Sequence, residues 1–196
     1  MLIIEGCDLV GKTTLANKLV AVLRERSEMD VLYHHLSFRP AKFDFLWGYV
    51  AHMKRWAVYD RFHLGEIAYS QAQGEKPRIS QDDMRLIYSY LFRHGSFIVV
   101  IRAEPDQLEL AYNNCGGNKE PFALDVLQRV NFVYSQLESS EHLFDVMLDY
   151  KHGQPIAERD DLVNYIANAY ISRQHHLNRA IIRRQSCNTM SLEAGF

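Results

Sequence analysis

Residues 4–15 read IEGCDLVGKTTL, and this stretch decides the fold. Counting from Gly6, four residues precede Gly11, Lys12 and Thr13, which matches the pattern G-x-x-x-x-G-K-[ST]. In that pattern the glycines allow a tight turn close to an anion, and the first amides of the following helix point at phosphate. Lys12 is expected to reach the β- and γ-phosphates of a nucleotide, and the Thr13 hydroxyl to hold Mg²⁺.

The segments that flank this loop support a phosphate site. Residues 1–4 are an apolar run typical of a buried parallel strand. Beyond the loop, Leu15, Leu19 and Leu23 recur at helical spacing. Strand, loop and helix therefore follow in the order that the pattern requires, which disfavours a chance glycine-rich turn. We predict that the phosphates contact residues Gly6, Cys7, Asp8, Leu9, Val10, Gly11, Lys12, Thr13 and Thr14.

The composition argues against several classes of protein. With 196 residues, 47% of them hydrophobic, the chain is long enough to bury the core of one domain. Its formal net charge of −2 argues against a dedicated nucleic-acid binder. Cys7, Cys115 and Cys187 lack the spacing of metal ligands, and no apolar run approaches the roughly 20 residues of a membrane span. The first residues do not have the layout of a signal peptide. We predict a cytoplasmic protein with reduced cysteines and no membrane segment.

Strand and helix patterns alternate along the rest of the chain. After the first strand, further strands are predicted near residues 31–36, 56–59, 97–101 and 143–148, with helical patterns between them and after the last. Such alternation predicts an α/β three-layer sandwich, in which helices cover both faces of a five-stranded parallel sheet. We assign residues 1–172 to this domain, with a short lid at about 113–121, and residues 173–196 to a basic C-terminal tail.

Asp60 and Arg61 come directly after the third predicted strand. Ligands of parallel sheets bind beyond the carboxyl ends of the strands, so this pair is expected to face the loop of residues 6–13. Asp60 is suited to holding Mg²⁺ or its waters, or to accepting a proton from an attacking hydroxyl. The Arg61 guanidinium is suited to a phosphate or a carboxylate. A purely structural pair that caps the next helix is the alternative.

Four segments resemble thymidylate kinases, within the wider class of P-loop nucleoside and nucleotide kinases. One of them, residues 97–105, is similar to their fourth strand and the proline-containing segment after it. EGCDLVGKTT, residues 5–14, is similar to their loop EGxDGxGKTT. DRFHLGEIAYSQ, residues 60–71, is similar to their segment DR[YFH]xxSxxAYQ. Residues 37–40, which read SFRP, resemble the segment that holds the substrate phosphate in that family.

The resemblance implies a role for each matching residue. Lys12 and Thr13 would serve ATP and Mg²⁺, with Asp60 at the metal, and Asp8 would lie near the acceptor. Arg39 would hold the acceptor phosphate, and the base would stack on an aromatic ring. The residues implied at the acceptor are Phe38, Arg39, Arg61, Phe62 and Tyr69, and those implied in catalysis are Lys12, Asp60, Arg61, Asp8 and Lys119.

Departures from the family pattern limit what can be transferred. Leu9 and Val10 supply no second cation within the loop, and the predicted lid holds Lys119 but no arginine. Lys119 is therefore the candidate for that cation, with an ordinary solvated lysine as the alternative and Arg129 as a second choice. Only about twenty residues separate Arg39 from Asp60, where the family has a long base-reading helix, so the identity of the acceptor base stays open.

The sequence favours an ATP- and Mg²⁺-dependent kinase that acts on a small (deoxy)nucleoside monophosphate. A deoxynucleoside kinase is the first alternative, in which Asp60 or Asp8 would act as a base toward a hydroxyl acceptor. A polynucleotide-hydroxyl kinase is a second alternative, which only the basic tail supports, and an ordinary solvated segment is the alternative interpretation of that tail. A non-catalytic nucleotide-binding protein is the third alternative. The family resemblance also suggests a homodimer.

Overall fold

A parallel sheet of five strands forms the centre of the protein, as a computed structural model shows. The structure describes residues 1–36, 45–116, 121–137 and 143–193, without the side chains of residues 45–47, 52 and 179–193. The strands are β1 (Leu2–Gly6), β2 (Leu32–His35), β3 (Ala57–Asp60), β4 (Phe97–Ala103) and β5 (Val146–Tyr150). Their order across the sheet is β2-β3-β1-β4-β5, and every pairing is parallel.

Helices connect the strands and cover the sheet. They are α1 (Lys12–Ser27), α2 (Phe45–His52), α3 (His63–Ala72), α4 (Gln81–Arg93), α5 (Pro105–Asn114), α6 (Leu124–Gln136) and α7 (Asp160–Glu193). β1 is buried along its whole length, as expected for a strand covered on both faces. β4 reads FIVVIRA and is buried at all but one position, with β-branched residues that fit the pleated interior. None of the helices within the described parts of the chain is both long and apolar enough to cross a bilayer.

The predicted α/β sheet is confirmed, with shifts at several element ends. α6 begins at Leu124 rather than near residue 121, and β5 spans Val146–Tyr150 rather than residues 143–148. α5 extends to Asn114, inside the predicted lid, and residues 117–120 of that lid lie outside the described residues.

The boundary predicted between residues 172 and 173 falls inside α7, which continues to Glu193. Arg173 donates to the Ser96 carbonyl and to the Asp145 carboxylate, each at 2.6 Å. Gln174 is fully buried and donates to the Gly95 carbonyl at 2.8 Å. The first residues of the predicted tail therefore pack against the domain, because a helix without an internal glycine or proline carries them there.

Candidate functional site

The loop between β1 and α1 adopts a conformation that needs glycine. Gly6 has φ of 145°, and a Cβ atom there would lie 2.4 Å from the Ile101 carbonyl oxygen. Gly11 has φ of 78° and precedes α1, whose N-terminus receives no hydrogen bond from a capping side chain of the described residues. Leu9 also has a left-handed φ of 71°, which is costly for a residue with a branched side chain. The free amides at the start of α1 are left to bind an anion.

Lys12 is buried beneath this loop. Its Nζ donates to the Cys7 carbonyl and lies 3.8 Å from Asp8 Oδ1. Burial, followed by the nearby Arg61 charge, lowers the pKa of the lysine. A negatively charged phosphate would counter both effects, because it stabilises the ammonium form.

Asp60 ends β3 and accepts several hydrogen bonds through one oxygen. Its Oδ2 accepts from Thr13 Oγ1 at 2.5 Å and from the Tyr33 hydroxyl at 3.2 Å, and lies 2.9 Å from His35 Nδ1. Its Oδ1 is buried, and no donor among the described residues bonds to it. Burial alone would raise the pKa of Asp60, but the hydrogen bonds from Thr13 and His35 outweigh it and hold the pKa below its usual value.

The residues around Asp60 fit a magnesium ion. Because Thr13 donates its proton to Asp60, the lone pairs of its hydroxyl oxygen remain available to a cation. Asp60 Oδ1 is a second hard oxygen without a partner in the described part of the chain. That part contains no cluster of three or more acidic, histidine or cysteine side chains placed to hold a metal. Two protein oxygens suit Mg²⁺, which usually keeps several waters and binds nucleotide phosphates.

Asp8 pairs with Arg61 and Tyr69 across the loop. Arg61 Nη2 donates to Asp8 Oδ1, and the Tyr69 hydroxyl donates to Asp8 Oδ2 at 2.9 Å. The Arg61 guanidinium also lies over the Tyr69 ring, 5.8 Å from its centroid. Arg61 has a left-handed φ of 73°, and its amide donates to the Ile4 carbonyl at 2.9 Å. The turn after β3 thus directs a cation at the P-loop.

Glu5 holds the turn after β3 through its buried carboxylate, although the sequence analysis assigned it no role. Its Oε1 accepts from the amides of Phe62 and Leu64 at 3.0 and 2.9 Å, and its Oε2 accepts from the Tyr134 hydroxyl at 3.1 Å. Burial raises its pKa to about 7, against the lowering effect of these hydrogen bonds. Glu5 therefore links β1, the start of α3 and α6.

The remaining predicted residues are not all at the loop. The buried Phe62 ring packs against the rings of Tyr49, Tyr59 and His63, with centroids 4.9, 5.3 and 5.5 Å away. This places Phe62 in an aromatic cluster, and its stacking on a base stays a prediction. Arg129 bonds instead to the Ala72 carbonyl at the far end of α3 and to Asp125. Phe38, Arg39 and Lys119 lie outside the described residues.

Tyr33 and His35 are the other contacts to which the sequence analysis assigned no role. The sequence holds one signal for them, and the strand register of the structure supplies the rest. They alternate along a strand, so they share one face of the sheet. That strand precedes β3 in the chain, and in the observed register His35 is the direct neighbour of Asp60.

Comparisons with known proteins agree with this architecture. No protein-family model matches the chain, and no curated protein matches it by sequence. Among solved structures, the YorR protein of Bacillus subtilis in complex with phosphorylated GDP superposes with a TM-score of 0.65 at 16% identity, covering 89% of this chain and 97% of YorR. Deoxyadenosine kinase from M. mycoides with bound dCTP has a TM-score of 0.49 at 14% identity, covering 86% and 100% of the two chains.

The chain shares the α/β fold of the YorR structure. This confirms the predicted fold class, with the phosphate-binding loop at the carboxyl edge of a β2-β3-β1-β4-β5 sheet. The resemblance of the chain to thymidylate kinases stays a prediction.

Proposed function

We propose that the protein is a nucleoside monophosphate kinase, which transfers the γ-phosphoryl group of ATP to a small (deoxy)nucleoside monophosphate with the help of Mg²⁺. Three features of the site support this proposal. The loop and the start of α1 form an anion-binding cradle, Thr13 and Asp60 supply metal-ligand oxygens, and Arg61 lies beside the loop as a cation. A nucleotide ligand is also consistent with the phosphorylated GDP in the YorR structure.

The hydrogen bonds of Asp8 are the observation that favours a phosphate, rather than a hydroxyl, as the acceptor. A hydroxyl acceptor needs a base to take its proton, whereas a phosphate monoester, with its second pKa near 6, is mostly dianionic at neutral pH. Both Asp8 oxygens already accept hydrogen bonds, one from Arg61 and one from Tyr69. Asp60 has a lowered pKa, which makes it a weak base. The site thus favours an acceptor that brings its own anionic oxygen.

In the proposed reaction an oxygen of the acceptor phosphate attacks the γ-phosphorus of ATP. A bond forms from that oxygen to phosphorus, and the bond to the β–γ bridging oxygen breaks, which leaves a nucleoside diphosphate and ADP. Lys12 and the first amides of α1 hold the donor phosphates, while Arg61 neutralises charge beside the acceptor. Magnesium, held by Thr13 and Asp60, would supply further charge neutralisation when bound.

A deoxynucleoside kinase is the second candidate, and one observation favours it. Asp60 Oδ1 accepts no hydrogen bond from the described residues, so its lone pairs are not already engaged by a protein donor and could take the proton of an acceptor hydroxyl. In that case the same carboxylate would act as a base. The two candidates differ in the acceptor, which an activity screen distinguishes directly.

The deciding experiment is a coupled assay of ADP formation with ATP and Mg²⁺. The acceptors are the deoxynucleoside monophosphates including dUMP, the ribonucleoside monophosphates and the matching nucleosides. Turnover of one or two monophosphates, lost in Lys12→Ala and severely reduced in Arg39→Ala, would support the proposal and name the base. Turnover of nucleosides alone would favour the second candidate, and silence across the panel would contradict both.

A further inference from the structure

We propose that Tyr33 and His35 are positioning residues, which hold the Asp60 carboxylate in the orientation that binds the magnesium of the nucleotide complex. This inference rests on the proposed function, because it concerns the same metal site. It adds β2 to a site that the motifs place on the loop, α1 and β3 alone.

The strand register explains why these two residues reach Asp60. His35 is the parallel partner of Asp60, and paired residues of neighbouring strands project from the same face of the sheet. Tyr33 is two residues earlier on that face and reaches Asp60 through its hydroxyl. His34, between them, belongs to the opposite face, where it stacks on Tyr59 with ring centroids 5.1 Å apart. One strand therefore offers two residues that contact the carboxylate and a third that does not.

Asp60 needs these donors because it is a buried anion. Its side chain is 0% exposed, and His35, itself 41% exposed, places Nδ1 2.9 Å from Oδ2. Thr13 alone would leave the carboxylate free to turn about its Cβ–Cγ bond. Together with Tyr33 and His35, it brings three polar groups within hydrogen-bond distance of Oδ2. The carboxylate is then held through Oδ2, and the buried Oδ1 keeps lone pairs that no donor in the described part of the chain occupies.

This arrangement also keeps Thr13 available to the metal. With its proton donated to Asp60, Thr13 presents lone pairs to a cation without having to rotate. Loss of the Tyr33 or His35 contact would let the Asp60 carboxylate rotate toward the position that the cation would occupy beside Thr13. We therefore expect that metal-dependent nucleotide binding weakens, while metal-free binding to the loop amides and Lys12 is unaffected.

Calorimetric titration with ATP, once with excess Mg²⁺ and once with EDTA, tests this inference. The variants are Tyr33→Phe, His35→Ala and His35→Asn, whose amide can donate from nearly the position of Nδ1. His34→Ala is the matched control, since it removes the same kind of side chain from the opposite face of the same strand. Thermal melts check that each variant is folded, which substitution on a partly exposed edge strand should allow.

We expect His35→Ala to weaken ATP binding with Mg²⁺ by about tenfold and to leave binding with EDTA within about twofold. Tyr33→Phe should show a smaller loss of the same kind, His35→Asn should recover most of the affinity, and His34→Ala should match the wild type. Equal losses with Mg²⁺ and with EDTA, or no loss in any variant, would overturn the inference while the proposed function stands. If the wild type binds ATP no more tightly with Mg²⁺ than with EDTA, the proposed function and this inference fail together.

Discussion

Gly6 is the residue at which the loop tolerates no side chain. A Cβ atom would lie 2.4 Å from the Ile101 carbonyl, which belongs to the buried strand β4 and cannot move aside. We expect Gly6→Ala to lower the free energy of unfolding by more than about 3 kcal/mol, because the clash adds to the strained φ. Urea titration of the purified variant measures this loss.

Gly11→Ala is the control for that experiment. Gly11 also has a positive φ, 78°, but a Cβ atom there would meet no atom of the described residues within 4 Å. Its substitution should therefore cost only the backbone strain of about 1–2 kcal/mol. Equal losses in the two variants would show that the contact with Ile101 is unimportant.

Arg61 is the residue whose charge the proposed reaction most needs after Lys12. It contacts Asp8 beside the loop, whereas Arg129 contacts Asp125 and the end of α3. We expect Arg61→Ala to lower kcat/KM by about hundredfold, since it removes a placed cation from the site. Arg129→Ala should leave kcat/KM unchanged. Steady-state kinetics on the acceptor found in the screen would compare the two variants. Equal losses of kcat/KM would contradict the placement of Arg61, rather than Arg129, at the site.

At the scale of the elements, Glu5 connects β1 to the start of α3 and to α6. Its pKa is about 7 in the folded protein and 4.5 in the absence of structure. Between these values the folded state holds a proton that the unfolded state has released, so stability falls as pH rises from 4.5 to 7. The raised pKa of Glu5 accounts for a loss of up to about 3 kcal/mol in the free energy of unfolding across this pH range.

The comparison with Glu5→Gln isolates this effect. Glutamine keeps an acceptor for the amides of Phe62 and Leu64 but does not titrate. The buried His63, whose pKa is lowered to about 3 by burial, makes stability rise with pH between that value and 6.5, and it does so in both proteins. The difference between wild type and variant should therefore fall from pH 5 to 7 and stay constant above about pH 7.5. A difference that is flat with pH would show that Glu5 titrates normally.

Local sequence patterns predict where the strands and helices lie, but they do not predict which side chains of distant elements contact one another. The strand-loop-helix order around Lys12 and the position of Asp60 at a strand end follow from short stretches of sequence. The contacts of Glu5 with the turn after β3 span 57 and 59 residues, and that of Tyr134 spans 129. Such pairs depend on strand order and register, which periodicity does not encode. The role of His35 depends in the same way on its parallel pairing with Asp60.

At the scale of the whole molecule, the carboxyl ends of the strands carry the candidate site, whereas the amino ends are packed against α7. The loop, Asp60 and Arg61 lie at the carboxyl ends of the strands, where ligands of parallel sheets bind. The amino ends are closed by α7. Arg173 stacks over the Phe97 ring, with its guanidinium 5.0 Å from the centroid, and Gln174 bonds to the turn that precedes β4. A strand of five residues separates these ends by roughly 16 Å.

This separation predicts that stability and ligand binding can be changed independently. Gln174→Ala removes a fully buried amide and leaves the Gly95 carbonyl and Arg55 Nε without their partner. We expect it to lower the free energy of unfolding by about 2 kcal/mol, because buried polar groups without partners are costly. The affinity for ATP with Mg²⁺, measured well below the melting temperature, should stay at the wild-type value. His175→Ala, on the exposed side of the same helix, should change neither quantity. A loss of ATP affinity in Gln174→Ala that persists at low temperature would mean that α7 acts on the site through the sheet, and the two ends would then have to be treated as one coupled unit.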